Sequence, residues 1–251
     1  MTPASPTFDA QPARVAVSIV SHGHGTLVTA LLADLAAHCG DSISVVLTLN
    51  VPEPLAPDAA LPFPVALVRN PAPKGFGANH NAAFRQCREA CFCVLNPDVR
   101  LGANPFPRLI AELAQPRVGV AAPRIVDPAG RVEDSARRFP TPGFILRKLA
   151  GTAAHLDHEI GREVISPDWV AGMFMLFRSA VFAELQGFDE RYFLYYEDVD
   201  LCRRLRARGY DVRLVPSVSA THDARRESRR SLRHLRWHAA SMLRYFVTRK
   251  A

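Results

Sequence analysis

The sequence predicts an α/β domain on a mainly parallel sheet, and three observations predict it. Short β-branched apolar runs alternate with segments of helical periodicity, the pattern that right-handed crossovers impose on parallel strands. The chain has 251 residues, 48% of them hydrophobic, enough for one large core and too little for two ordinary domains. Asparagines, glycines and carboxylates gather just after the apolar runs, at the strand ends where open α/β sheets bind ligands.

Taken in order, residues 14–20 (RVAVSIV) read as the first strand. Residues 26–38 read as a helix, with Leu27, Leu31, Leu32 and Leu35 at helical spacing. Residues 43–49 form a second strand. The five prolines of residues 51–64 exclude a regular element there. Residues 65–68 are a third strand, 77–90 a helix and 90–95 a fourth strand. In the second half, 118–122 read as a strand and 125–132 as a hairpin around Asp127-Pro128-Ala129-Gly130. Residues 139–166 are irregular, 169–177 a strand, 179–185 a short helix, 197–208 a helix, and 211–215 and 215–221 strands. The loops at the ligand edge are then 21–25, 50–53, 70–77 and 96–100.

No run approaches the roughly 20 apolar residues of a membrane span. Residues 1–13 are rich in Pro and Ala and lack the order of a signal peptide, so they read as a disordered leader on a cytoplasmic protein. The five cysteines, Cys39, Cys87, Cys91, Cys93 and Cys202, have no second Cys or His pair at ligand spacing. They read as small buried hydrophobes rather than a zinc site. The net charge of +7 resides in residues 222–251, which hold nine Arg or Lys and two Asp or Glu; the remainder is neutral. A basic tail on a neutral body argues against a surface that tracks nucleic acid.

Three constellations carry candidate chemistry. In Val94-Leu95-Asn96-Pro97-Asp98, a hydrophobic strand runs into a carboxylate at its C-terminal end, where Asp98 either caps a turn or offers oxygen to a divalent cation. In residues 70–81 (NPAPKGFGANHN), Gly75 and Gly77 precede a helix and would let a ligand approach the backbone. His80 stands where a dinucleotide fingerprint needs its third glycine, and Asn79 and Asn81 could be ordinary helix-start residues. In residues 187–200, an aromatic run leads into Glu197 and Asp198. Aromatic walls desolvate a carboxylate, raise its pKa and suit it to general acid–base work. Acidic residues also favour a helix N-terminus for electrostatic reasons alone. His222, just past a strand, serves either a ligand or the structure.

Together and in order, VSIVSHG, NPAPKGFGANHN, LNPDV, WVAGMFMLFR, GFDERYFLYYEDVDLCRRLRARGY and the later His222 resemble glycosyltransferase family 2, in particular its rhamnosyltransferase branch. The resemblance runs from Val15 to the tail and implies the GT-A fold, a nucleotide-binding sheet joined to an acceptor-binding half. It implies that residues 14–222 are the catalytic domain and 223–251 a basic amphipathic helix. It places Ser21 and His22 at the nucleotide pocket, Gly75, Gly77 and Asn81 near the donor, Asn96 and Asp98 in the metal-binding D-x-D element, His222 near the metal or diphosphate, and Asp198 as catalytic base, with adjacent Glu197 as rival. Asn50 or Glu53 stands where the family puts an Asp that touches the base.

The implied reaction is an inverting transfer from a dTDP- or UDP-sugar, with rhamnose first, to a hydroxyl of a saccharide or lipid-linked saccharide in cell-surface polysaccharide or glycolipid assembly. It uses Mg²⁺ or Mn²⁺ and no nucleic acid. A silent nucleotide-sugar or polysaccharide binder on the same fold would keep residues 75–81 and lose Asp98 and Asp198. A nucleotidyltransferase would carry a basic Gly-rich loop where this chain has SHGHG. Leu232, Leu235, Met242, Leu243 and Phe246 recur near helical spacing among arginines. The tail is therefore either a peripheral membrane helix or one docked on the domain with a solvated basic face.

Overall fold

The structure, a computed structural model, describes residues 14–57, 60–143, 157–158, 160–222 and 232–248. The elements are β1 (Val15–Ser21), α1 (Gly25–Cys39), β2 (Ile43–Leu49), β3 (Val65–Arg69), α2 (Phe76–Phe84), β4 (Cys91–Leu95), β5 (Val99–Arg100), α3 (Phe106–Leu113) and β6 (Val118–Val126). They continue with β7 (Ala136–Arg137), β8 (Trp169–Val170), β9 (Phe174–Arg178), α4 (Ser179–Glu184), α5 (Glu197–Ala207), β10 (Asp211–His222) and α6 (Leu232–Thr248). The leader, residues 1–13, and residues 223–231 of the tail lie outside the described residues.

Among these residues one eight-stranded sheet has the order β3-β2-β1-β4-β9-β6-β10-β5. Strands β1 to β4 are parallel, as are β6 and β10. β9 runs antiparallel to both β4 and β6 and so joins the two parallel halves, while β5 closes the far edge antiparallel to β10. The central strands are buried on both faces. In β4, Cys91, Cys93 and Leu95 enter the layer under α1 and α3, and Phe92 and Val94 enter the layer under α4 and α5. All five cysteines are free thiols, four of them buried.

Four readings of the sequence shift. The helix read over 77–90 ends at Phe84, whose ring packs on Phe92 and Phe182 at 5.1 and 4.8 Å; Cys87 therefore lies beyond it. The strand read over 169–177 is two strands in two sheets, parted at Gly172. The strand and hairpin read over 118–132 share one long strand, β6, which passes through Pro123 opposite a register shift in β10. The two runs read over 211–221 are likewise a single strand. Helix α3 and the short strands β5 and β7 are additional.

On α2, His80 turns inward and bonds the Ser18 hydroxyl of β1 through Nδ1 at 2.8 Å. Burial drives its pKa down to about 3. A neutral imidazole therefore fastens α2 to β1 and sets the position of the loop before it.

Candidate active site

The ends of β1, β2 and β3 are tied by asparagines. Asn50 follows β2, and its side-chain oxygen accepts from the Lys74 N–H (2.8 Å) and the Asn70 amide (2.9 Å). Its amide nitrogen donates to the Lys74 carbonyl (3.0 Å) and lies 3.2 Å from His22 Nδ1. An asparagine side chain offers two acceptor and two donor positions, so all four are engaged. Asn50 shapes the Lys74 loop, and a direct bond to a nucleotide base would have to replace one of these. Asn79, buried on α2, completes the tie by accepting from Asn70 (2.7 Å) and donating to the Gly75 carbonyl (3.0 Å). Ser21 is buried, and its Oγ accepts from the His24 N–H at 3.1 Å, which leaves His22 exposed at the lip. Burial lowers the His22 pKa, helped by His24 and Arg233 and opposed by Glu53.

Gly75 and Gly77 are required by protein packing. A Cβ on Gly75 would stand 2.7 Å from the Phe193 carbonyl oxygen, and one on Gly77 would stand 2.6 Å from the Phe188 Cβ. The Phe76 N–H donates to that same Phe193 carbonyl at 2.9 Å. Asn81 is also turned inward. It donates to the Phe188 carbonyl (2.9 Å) and Glu190 Oε1 (3.0 Å) and accepts from the Phe188 N–H (2.9 Å). The close approach that the glycines permit is thus to residues 188–193, and the three residues fasten that segment to the loop at 70–75.

Asn96 and Asp98 follow β4. The Asn96 N–H donates to the Met173 carbonyl at 2.9 Å, which fixes the turn to β9. Asp98 Oδ2 lies 3.3 Å from His222 Nε2 at the end of β10, and His222 Nδ1 lies 2.7 Å from Glu133 Oε2. Burial opposes the imidazolium, but the two carboxylates outweigh it and hold the His222 pKa at about 9. Asp98 Oδ1 is buried without a hydrogen-bond partner. A carboxylate oxygen left open beside an imidazole suits a hard divalent cation that takes its other ligands from phosphate and water. No group of three or more His, Cys, Asp and Glu forms a complete cation cage among the described residues, so the fit is to a shared site rather than an all-protein one.

The carboxylates Glu197 and Asp198 open α5 directly after Tyr195 and Tyr196, whose φ values are 71° and 69°. Left-handed backbone at two successive non-glycine residues costs about 1–3 kcal/mol each and marks a conformation imposed by its surroundings. Asp198 Oδ2 accepts from the Gly172 N–H (3.0 Å) and Oδ1 from the Val199 N–H (2.8 Å). Burial raises the Asp198 pKa, and these two N–H groups and Arg137 hold the rise back. Glu197 is only 5% exposed, its Oε2 has no partner, and burial and the Asp198 charge push its pKa well up. Burial thus raises both carboxyl pKa values, and the two backbone N–H groups favour the carboxylate form at Asp198. Asp200 is held by Arg203 and Arg204 and serves the helix.

Helix α6 docks on the aromatic run before this pair. The Tyr195 hydroxyl bonds His234 Nδ1 (2.9 Å), Ser241 donates to the Leu194 carbonyl (2.9 Å), and Tyr245 is fully buried near Tyr196. Phe193 faces Trp237 with ring centroids 4.7 Å apart. Glu133, Asn70, the Gly172 N–H and Trp237 are the site components that sequence reading does not single out. A glycine inside a strand pattern is the one signal that bears on Gly172, and the unbroken apolar run around it outweighs that signal.

Residues 12–240 match the family described as Glycosyltransferase like family 2. The chain is 29% identical over 248 residues to Rhamnosyltransferase WbbL of Escherichia coli (strain K12), covering 94% of each chain. It is 31% identical over 229 residues to the N-acetylglucosaminyl-diphospho-decaprenol L-rhamnosyltransferase of Mycobacterium tuberculosis, covering 82% of this chain and 75% of that one. Its fold is similar to that of the mannosyltransferase PcManGT from Pyrobaculum calidifontis, solved with GDP-Man and Mn²⁺, at a TM-score of 0.62 and 17% identity, over 94% of this chain and 65% of that one. This chain thus spans a little under two thirds of that structure. A GT-A sheet, the ordered motifs at its strand ends and a match over nearly its whole length lead to one conclusion: the chain belongs to glycosyltransferase family 2 and is a glycosyltransferase.

Proposed function

We propose that the enzyme transfers rhamnose, with inversion, from a dTDP-sugar to a hydroxyl of a lipid-linked saccharide during cell-surface polysaccharide or glycolipid assembly. The sugar and the acceptor class are carried by the relatives named for rhamnosyl transfer, one of them to a diphospholipid-linked N-acetylglucosamine. The observation that carries the mechanism is the buried Asp198 carboxylate, held at both oxygens by backbone N–H groups where α5 begins. Asp198, ionised and fixed by two backbone N–H groups, accepts the proton of the acceptor hydroxyl as that oxygen attacks the anomeric carbon. The bond to the nucleoside diphosphate breaks on the opposite face through an oxocarbenium-like state. A silent binding protein would have no use for a positioned base of this kind.

Asp98 would hold a divalent ion together with the donor diphosphate, with His222 Nε2 joining once the ion displaces its proton, and such an ion would supply positive charge where the leaving group gains negative charge. Glu133, bonded to Nδ1, would orient the imidazole for that contact. The crystallised neighbour with GDP-Man and Mn²⁺ supports this reading. Thermal-shift measurement with dTDP, UDP and GDP, each with Mn²⁺ or EDTA, tests the donor class. A ligand at 100 times its Kd stabilises the fold by about 2.7 kcal/mol, and we expect dTDP with Mn²⁺ to give the largest shift. A larger shift from UDP or GDP would reject the dTDP assignment.

Peripheral membrane contact through α6 is part of the same proposal. Among the described residues no helix is long and apolar enough to cross a membrane. Helix α6 nevertheless leaves Leu235, Leu243 and Val247 each about two thirds exposed (64–66%). At about 100° per residue they fall in one sector, away from the docked face of Ser241 and Tyr245. Docking and membrane contact are thus compatible. Since removing α6 would uncover Tyr195 and Tyr196, which pack against it, the useful test is Leu235→Asp with Leu243→Asp. This variant should pelletise less with anionic vesicles than the unaltered protein, and equal pelleting would reject the contact.

A further inference from the structure

Between α6 and the segment that carries the base lies a cleft of about 680 Å³, lined by Phe193, Arg233, Arg236, Trp237 and Ala240. Its size is within the usual range of small-ligand sites. The Arg233 guanidinium stands over the Trp237 ring at 4.6 Å, and Trp237 in turn lies beside Phe193. Among the described residues no carboxylate pairs with Arg233 or Arg236, and α6 contains no Asp or Glu. Several other arginines are paired with carboxylates, as with Arg100 on Asp34, Arg191 on Asp189, and Arg203 and Arg204 on Asp200. Two unspent guanidinium groups beside an aromatic platform make a cationic site with an apolar wall.

The position of the cleft is as informative as its composition. Phe193 is joined to the donor loop through the Phe76 N–H, and Gly75 packs against it. Arg233 and His234 lie close enough to His22 to help lower its pKa, so the start of α6 overlooks the nucleotide edge of the sheet. Four residues after Phe193 the chain reaches Glu197 and, next, Asp198. The cleft therefore adjoins the donor loop, the segment that lines it runs on to the base, and the apolar sector of Leu235, Leu243 and Val247 lies on the same helix.

We infer that this cleft is the acceptor subsite, and that Arg233 and Arg236 bind the diphosphate of an acceptor whose saccharide is joined to a prenyl chain through that diphosphate. Arginine forks match phosphate oxygens in pairs. The aromatic faces of Phe193 and Trp237 pack on the acceptor sugar, and the prenyl chain leaves along the exposed apolar sector. The inference rests on the proposed lipid-linked acceptor and adds to it the residues that choose a diphosphate-linked acceptor over a neutral glycoside.

The test compares two water-soluble acceptors, farnesyl-diphospho-N-acetylglucosamine and farnesyl N-acetylglucosaminide, with the full chain and the donor at saturation. The readout is the ratio of kcat/KM for the first over the second. Loss of hydrogen bonds to a charged group costs about 10- to 100-fold, and Arg233→Gln with Arg236→Gln should lower the ratio by that factor. Arg236→Lys should lose less than Arg236→Gln. Both arginines are exposed, and a melting curve shows whether the variants fold. A ratio near one in the unaltered enzyme, or a ratio the double variant does not change, would overturn the subsite. So would a loss seen only when the acceptor is embedded in anionic vesicles, which would assign the arginines to bilayer headgroups. Transfer to neither acceptor by the unaltered enzyme would instead overturn the acceptor class itself.

Discussion

Asp198→Asn is expected to lower turnover by about 10²–10⁴-fold and to leave donor affinity nearly unchanged. The proton that Asp198 takes belongs to the acceptor, so the donor complex forms without it. The substitution keeps the shape of the side chain but not its hydrogen bonds. The carboxylate accepts N–H groups at both oxygens, and an amide can accept at only one, so either Gly172 or Val199 loses its acceptor. A stability loss of about 1–3 kcal/mol is expected from that cause and is measured separately by denaturant melting. Glu197→Gln separates the two carboxylates. Asp198 rather than Glu197 is the carboxylate held by the Gly172 and Val199 N–H groups, so this variant should retain most activity. The acid limb of the pH–rate profile gives a second check. Burial raises the Asp198 pKa, so the base is lost by protonation as pH falls through a value above the ordinary carboxylate range. An inactive Glu197→Gln beside an active Asp198→Asn would transfer the role of base to Glu197.

Asp98→Asn is expected to lower kcat/KM on the order of 10²–10³-fold, the cost of removing an electrostatic contact to charge that develops in the transition state. It should also weaken nucleoside diphosphate binding in Mn²⁺ while changing little in EDTA. Asp98 has one oxygen near His222 and one with no hydrogen-bond partner. Asparagine presents a single carbonyl oxygen and no charge, so its contact with a cation is weaker. Affinity that is unchanged with metal present would remove Asp98 from the metal site.

The strand-and-helix frame was legible because it depends on local apolar periodicity. Strand β2 and the burial of β1 and β4 follow from runs such as Ile43–Leu49, whose five aliphatic residues are all buried. The contents of the strand-end loops were legible as residue types, and their partners were not. Gly75 and Gly77 read as an approach path for a ligand, but the neighbour that needs the space is residues 188–193, more than 100 residues away in the chain. Asn50 read as a contact to the base, yet its four hydrogen-bonding positions go to Lys74, Asn70 and His22. Glu133 meets His222 across 89 residues, a separation at which no spacing rule operates. The break at Gly172 was hidden for a related reason. The apolar run continues through it, and only the Gly172 bond to Asp198 and the pairing of Phe174–Arg178 with β4 require it. The tail presented two readings, docked or membrane-facing, because a helix with apolar residues over a wide arc supports both. The docked face is the one carrying Ser241 and Tyr245, and the other is left exposed.

The central claim is sugar transfer from a nucleotide donor to an acceptor hydroxyl, with inversion, at the edge formed by Asp98, Asp198 and the Lys74 loop. The most direct measurement is incubation of the full chain with dTDP-rhamnose, Mn²⁺ and a diphosphate-linked N-acetylglucosamine acceptor, with the product resolved by mass spectrometry and its anomeric configuration by NMR. The account predicts a rhamnosylated acceptor of inverted configuration, formed together with dTDP, and lost in Asp198→Asn. Folded enzyme that releases no dTDP in the presence of acceptor and metal, or a product of retained configuration, would contradict it.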